Sequence, residues 1–176
     1  MNPDNDIYLR LIDPLKESMK RSVYRIVQDP DDAADAFQDA LFKVWNYLDR
    51  IVDHPNPQAY ILCICVSSAY DLLRKRIRKT QNEVASLQEE ITSSAKIENP
   101  CYANEITEIV KQSISSMPLK QAQAVFLRLF EQEPYSVIGS ALGCAEETAR
   151  SHVSKGLALL RLILIDKKVS LSEVHI

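Results

Sequence analysis

Glycine occurs only three times in 176 residues, and that scarcity constrains the fold more than any other feature of the sequence. Strand-and-turn proteins place glycine wherever the backbone takes a positive φ, so a chain this poor in it favours long helices. The eight prolines stand mostly at the edges of apolar-periodic segments, where they begin or end helices. The chain therefore reads as all-α. With 46% hydrophobic residues it is able to bury a core, as one domain or as two small ones.

Helical spacing divides the first eighty residues into three segments. The first, over residues 6–28, carries Leu11, Leu15, Met19, Val23 and Ile26 on one stripe, with Asp13-Pro14 offering a fresh start or a kink. Asp29-Pro30-Asp31-Asp32 then combines an N-cap carboxylate, proline at the first helical position and acids against the helix dipole. The helix it opens, to about residue 49, has a predicted core stripe of Ala34, Phe37, Leu41, Val44 and Leu48. Its other side carries Asp35, Asp39, Phe42 and Asn46, an acidic face with an aromatic in the middle. Such a face suits docking on a basic partner helix, and a second internal contact for Phe42 fits the pattern equally well. Asn56-Pro57 starts the third segment, to about residue 79, with Leu62, Val66, Ala69, Leu73 and Ile77 inward and Tyr60, Ser67, Asp71, Arg74 and Arg78 on another face. It ends in RKRIRK, a run that is either a solvated helix end or, with Tyr60, a surface able to stack and hold an unpaired nucleic-acid strand.

Residues 81–100 change character, with one basic residue against four acidic ones, and read as a linker with a short helix over 83–91. Few of its residues are apolar, so the flanking modules, 1–80 and 101–176, are expected to be structurally independent. In the second module, helices are predicted over 102–116 and 118–130, the latter turning Val125, Phe126, Leu129 and Phe130 toward the core. Next comes YSVIGSALGCAEETARSHVSKGLALLR, from Tyr135 to Arg161: a short helix with Val137, Ile138, Ala141 and Leu142 on one side, a turn at Gly143, and a longer helix. In that second helix Ala149, Val153, Gly156, Leu157 and Leu160 share a packing face. Glu147, Ser151, Ser154 and Lys155 lie opposite, flanked by Arg150 and His152. This is the spacing of a helix-turn-helix that reads the DNA major groove, and also of a helical hairpin whose polar face meets only water. The stretch 162–176 starts apolar and then loses its period.

The net charge of -3 excludes a blanket nucleic-acid coat and leaves DNA contact to local patches. No apolar run approaches the roughly 20 residues of a membrane helix, and MNPDND lacks signal-peptide character, so a cytoplasmic protein is expected. Cys63, Cys65, Cys101 and Cys144 form no CxxC pair and are expected to be buried free thiols, with no metal site. His54, His152 and His175 have no triad or ligand partners nearby in sequence, and no glycine-rich phosphate loop occurs. No catalytic residue and no cofactor is therefore expected.

In order and spacing the segments resemble the extracytoplasmic-function (ECF) group of bacterial RNA polymerase sigma factors, over residues 10–161. DPDDAADAFQDALFKVW resembles the polymerase-docking segment of that family, and NPQAYILCICVSSAYDLLRKRIRK its promoter-melting helix. MPLKQAQAVFLRLFEQEPYSVIGSALGCAEETARSHVSKGLALLR resembles the module that reads the upstream promoter element. The resemblance implies core RNA polymerase, promoter DNA and an anti-sigma factor as partners. It assigns Asp35, Asp39 and Phe42 to polymerase docking, and Tyr60, Ser67, Arg74 and Arg78 to the displaced strand of the minus-ten element. Thr148, Arg150, Ser151, Ser154 and Lys155 are assigned to the minus-thirty-five duplex. The chain departs from the family at the melting helix, where Tyr60, Cys63, Val66 and Ser67 replace a tryptophan, two arginines and an asparagine, and at Ala122 and Gln123, which replace an arginine and a glutamate. Strand capture is thus expected to be weaker or differently specified. Two alternatives remain at this point: a sigma-like regulator that does not open promoters, and a helical adaptor that binds polymerase.

Overall fold

The computed structural model describes residues 3–88 and 117–166, and every regular element in them is helical. The predicted helix 102–116, most of the linker and the end of the chain lie outside the described residues. Asp13-Pro14 interrupts rather than continues the first helix: α1 is Pro3–Ile12, a single 3-10 turn occupies Asp13–Leu15, and α2 is Lys16–Val27. Asp29 caps α3, Pro30–Asn46, by accepting from the Asp32 backbone N–H at 2.9 Å. Tyr47, at φ -107° and ψ 15°, separates α3 from the short α4, Leu48–Val52. Helix α5 spans Pro57–Gln88 and so continues into the stretch read as linker. The second module contributes α6, Leu119–Leu129, α7, Tyr135–Leu142, and α8, Glu146–Asp166.

Helix α5 is the axis of the molecule. It packs against α2 and α3 on one side and against α6 and α7 on the other, and every residue from Ile61 to Val66 is buried. The two modules are therefore not independent: one apolar cluster joins Met19, Val44, Val66 and Tyr70 to Met117, Ala122 and Phe126. A second cluster joins Ala59, Leu62 and Cys63 of α5 to Leu127, Ile138, Leu142 and Val153. Leu62, expected to face the core of its own module, is in this way a contact between modules.

The predicted stripe of α3 is turned by about one residue. Ala33, Ala36, Ala40 and Val44 are buried, Phe37 and Leu41 flank them half-buried, and Ala34 is exposed. Alanines let α3 approach α2 and α5 closely, so the larger side chains sit at the edges of the contact rather than at its centre. Two further corrections have the same origin. Leu127 and Ala124 carry the core of α6 beside Val125 and Phe126, while Phe130 is exposed and has the Arg25 guanidinium over its ring at 5.0 Å. In α8 the buried positions are Ala149, Val153 and Gly156, and Leu157 is exposed.

Candidate nucleic-acid interface

Two glycines build the turn between α7 and α8. Gly143 has φ +64°, the left-handed cap expected of it, and donates to the Ser140 carbonyl at 3.1 Å. Gly139 lies against the outgoing chain, where a Cβ would stand 2.8 Å from the Cys144 carbonyl oxygen, so the turn folds back on α7 at backbone contact. With Ala149, Val153 and Gly156 packed inward, α8 presents Glu147, Thr148, Arg150, Ser154 and Lys155 to solvent. Ser151 and His152 are half-buried at the edge of that face. Burial first, then Lys120 and Lys155, hold the His152 imidazole below its ordinary pKa, which marks this flank as electropositive. Arg150 is engaged on its own side: Nη2 lies 3.1 Å from Glu146 Oε1, and its guanidinium carbon 4.5 Å from the centre of the Tyr135 ring.

On α3 the exposed face contains Asp35, Asp39 and Phe42, and Phe42 is 65% exposed, so among the described residues it has no second internal contact that buries it. Asp39 is not a free acid. Lys43 bridges Asp39 at 2.8 Å to Asp71 of α5 at 3.1 Å. Burial pushes the Asp39 carboxyl upward, but the bonds and charge of Lys43, with Ser68 and the charge of Lys75, together outweigh it and hold the group below the usual carboxylate range. Asp35 is therefore the unbridged acid of this face among the described ion pairs. Trp45, 41% exposed, extends the apolar surface past Phe42 and meets Tyr8 edge-on at 5.2 Å.

The four residues assigned to strand binding do not form a clear surface. Tyr60 stacks on His54 at 4.8 Å, Ser67 is half-buried, Arg74 donates to the Met117 carbonyl at 3.0 Å, and Arg78 is exposed. His54, which the sequence did not single out, joins the modules. Its Nδ1 accepts from the Asn56 N–H at 3.0 Å, leaving Nε2–H to donate to the Ser140 carbonyl at 3.1 Å. The departures from the family at Cys63 and Gln123 meet across the same boundary, Gln123 Nε2 donating to the Cys63 carbonyl at 3.0 Å. Ala122 is buried in the shared core, as is Val66. The sequence signalled this contact only as substitutions in two distant segments.

Burial pushes the Cys63 and Cys65 thiols up to about 12, and both are free; Cys144 is free and half-exposed. Among the described residues no cluster of His, Cys, Asp and Glu is able to hold a metal ion, and no helix is long and apolar enough to cross a membrane.

With this geometry in hand, comparison with known proteins is specific. The Sigma-70 region 2 family matches residues 11–79 and the Sigma-70 region 4 family residues 107–160, together more than two thirds of the chain. The chain is 25% identical over 146 residues to the RNA polymerase sigma-E factor of Streptomyces avermitilis, covering 83% of this chain and 78% of that one. It is 24% identical over 157 residues to the RNA polymerase sigma factor SigV of Bacillus subtilis, covering 88% and 89%. The fold resembles that of the sigma factor RpoE of Bartonella quintana, solved with the anti-sigma factor NepR, with a TM-score of 0.52 and 23% identity over 87% of this chain and 93% of that one. Two sigma regions in the right order, each carried by the helices that the sequence motifs occupy, make this chain a member of the ECF group of RNA polymerase sigma factors.

Proposed function

We propose that the work of a sigma factor is divided among three surfaces of this chain, and that two of them are ready in the free protein while the third is engaged internally. Phe42 and Asp35, with the bridged Asp39 beside them, dock on core RNA polymerase, which supplies the catalysis in the cytoplasm where it works. Thr148, Arg150, Ser151, Ser154 and Lys155 of α8 read the upstream promoter element as duplex, with short polar and basic side chains at the groove. The α5 face of Tyr60, Ser67, Arg74 and Arg78 takes the displaced strand once the second module has moved away.

The observation that carries this reading is an asymmetry of exposure. The α8 face stands in solvent, whereas the flank of the α5 face is occupied by α6 and α7 through Leu62, Cys63, Gln123 and His54, and by Met117 ahead of α6 through Arg74. Duplex recognition therefore precedes strand capture, and polymerase binding drives the opening between them. The Bartonella relative was solved with an anti-sigma factor. A partner of that kind is expected here too, holding the same closed arrangement.

Run-off transcription with purified core polymerase tests the function. The expected result is a discrete transcript that requires this protein and is lost with Phe42→Ala plus Asp35→Arg. Core binding without a transcript on any promoter in a diverse template pool would instead favour a regulator that does not open promoters, the reading that burial of Cys63 and Val66 supports.

A further inference from the structure

The first residue of α7 carries two cations on one ring. The guanidinium carbon of Arg150 lies 4.5 Å from the centre of the Tyr135 ring and that of Arg128 4.9 Å. Arg128 is fixed in turn, since its Nη1 donates to the Glu133 carbonyl at 3.1 Å across the turn that leads into α7. The Tyr135 ring is half-buried against the apolar cluster of Ile138, Leu142 and Val153, so it cannot swing freely. Arg150 itself stays exposed, with Glu146 as its other contact.

A long arginine on a solvent-facing helix ordinarily samples many rotamers, and a DNA contact must then order it. Here a ring from the neighbouring helix restricts it in advance, and Glu146 is the contact that a guanine or phosphate would displace. We propose that Tyr135, to which neither the sequence motifs nor the family comparison gives a role, is a positioning residue for DNA reading: it holds the Arg150 guanidinium extended at the groove. The proposal rests on the reading of α8 as the duplex-reading helix. Arg128 belongs to the same device through its hold on the ring.

The test uses holoenzyme assembled from the full-length chain and core polymerase. An upstream element is first selected from a duplex pool randomised over that element, and binding is then compared with single base-pair changes in it. Arg150→Ala identifies the base pair, if any, that Arg150 reads. Tyr135→Phe keeps the ring and is expected to discriminate as wild type does. Tyr135→Leu keeps the apolar body and is expected to lose about two- to five-fold in preference at that base pair alone, the worth of an exposed cation–π contact. Added to Arg150→Ala it is expected to change nothing further. A folded Tyr135→Leu variant that discriminates as wild type does, or that loses affinity for all sequences alike, overturns the positioning role. No effect of Arg150→Ala on any base pair overturns instead the assignment of Arg150 on which the proposal rests. Proton NMR of the free chain reads the pose itself and stands whether or not Tyr135→Leu folds. Arg150 side-chain resonances displaced by the ring in wild type and Tyr135→Phe are expected, and undisplaced resonances overturn the proposal.

Discussion

Ala59→Glu is expected to open the two modules without unfolding either. Ala59 lies in the first turn of α5, where an acid suits the helix dipole, so α5 itself tolerates the change. Its side chain is 2% exposed, however, in the cluster that α5 shares with the second module. A carboxylate left there without a partner costs about 3–5 kcal/mol, which opening relieves by returning it to water. On the other side stand the contacts that opening breaks: burial of Leu62, about 1.5–3 kcal/mol, the Gln123, His54 and Arg74 bonds across the boundary, about 1 kcal/mol each, and the packing of Met117, Ala122 and Phe126 on the first cluster. The carboxylate penalty falls on the closed form alone, so the variant populates an open state more than wild type does, by a factor on the order of a hundred or more. Cys63 reports it directly. In the closed form burial pushes its thiol up to about 12 and shields it, so that alkylation proceeds through opening. Pulse alkylation with mass mapping should find Cys63 modified about a hundred times faster in Ala59→Glu. Cys65, in the other cluster, keeps Met19, Val44 and Tyr70 of its own module around it when Met117, Ala122 and Phe126 leave, and should stay much better protected than Cys63. Equal Cys63 rates in a folded variant, or Cys63 and Cys65 accelerating together, would refute the idea of a separable boundary at this face.

Phe42→Ala with Asp35→Arg should leave circular dichroism and melting unchanged and weaken capture of core polymerase, because Phe42 is 65% exposed and Asp35 lies outside the Lys43 bridge; undiminished capture would remove this face from the docking surface. Gly139→Ala should destabilise the protein by about 1–3 kcal/mol in thermal denaturation, because the new Cβ meets the Cys144 carbonyl 2.8 Å away and backbone cannot step aside as a side chain does. Unchanged melting would mean that the turn lies less closely on α7. In holoenzyme, Arg150→Ala should cost about 1–3 kcal/mol of discrimination at a single base pair, whereas Lys155→Ala, further along α8, should weaken all sequences alike and lower the salt slope by roughly one. The reverse pattern would shift the docking register along the helix.

Local chemistry was the legible part of this sequence. The Asp29 cap, the break at Asp13-Pro14 and the left-handed Gly143 were readable because each depends on a residue and its immediate neighbours. The α3 stripe was misread because large side chains dominate a hydropathy pattern, while close helix packing buries alanines such as Ala36 and Ala40 and leaves Phe37 at the rim. The boundary between modules left only a trace in the sequence, the substitutions at Cys63, Val66, Ala122 and Gln123. Gln123 with Cys63, His54 with Ser140 and Arg74 with Met117 join residues far apart in the chain, and no periodicity announces such pairs. The candidate site followed the same rule: Arg150 stood out in the sequence as a flank of the face that holds Lys155, whereas the Tyr135 ring against it comes into view only when α7 is laid across α8.

The second module is expected to leave α5 in the polymerase-bound state, and a distance measures it. Asp49 of α4 and Ser136 of α7 are both exposed, and spin labels on Asp49→Cys and Ser136→Cys, with Cys101 and Cys144 replaced by serine, span the boundary. The predicted result is a single short distance in the free protein and a longer one in transcribing holoenzyme on promoter DNA. An unchanged short distance in holoenzyme that is making transcript would contradict it.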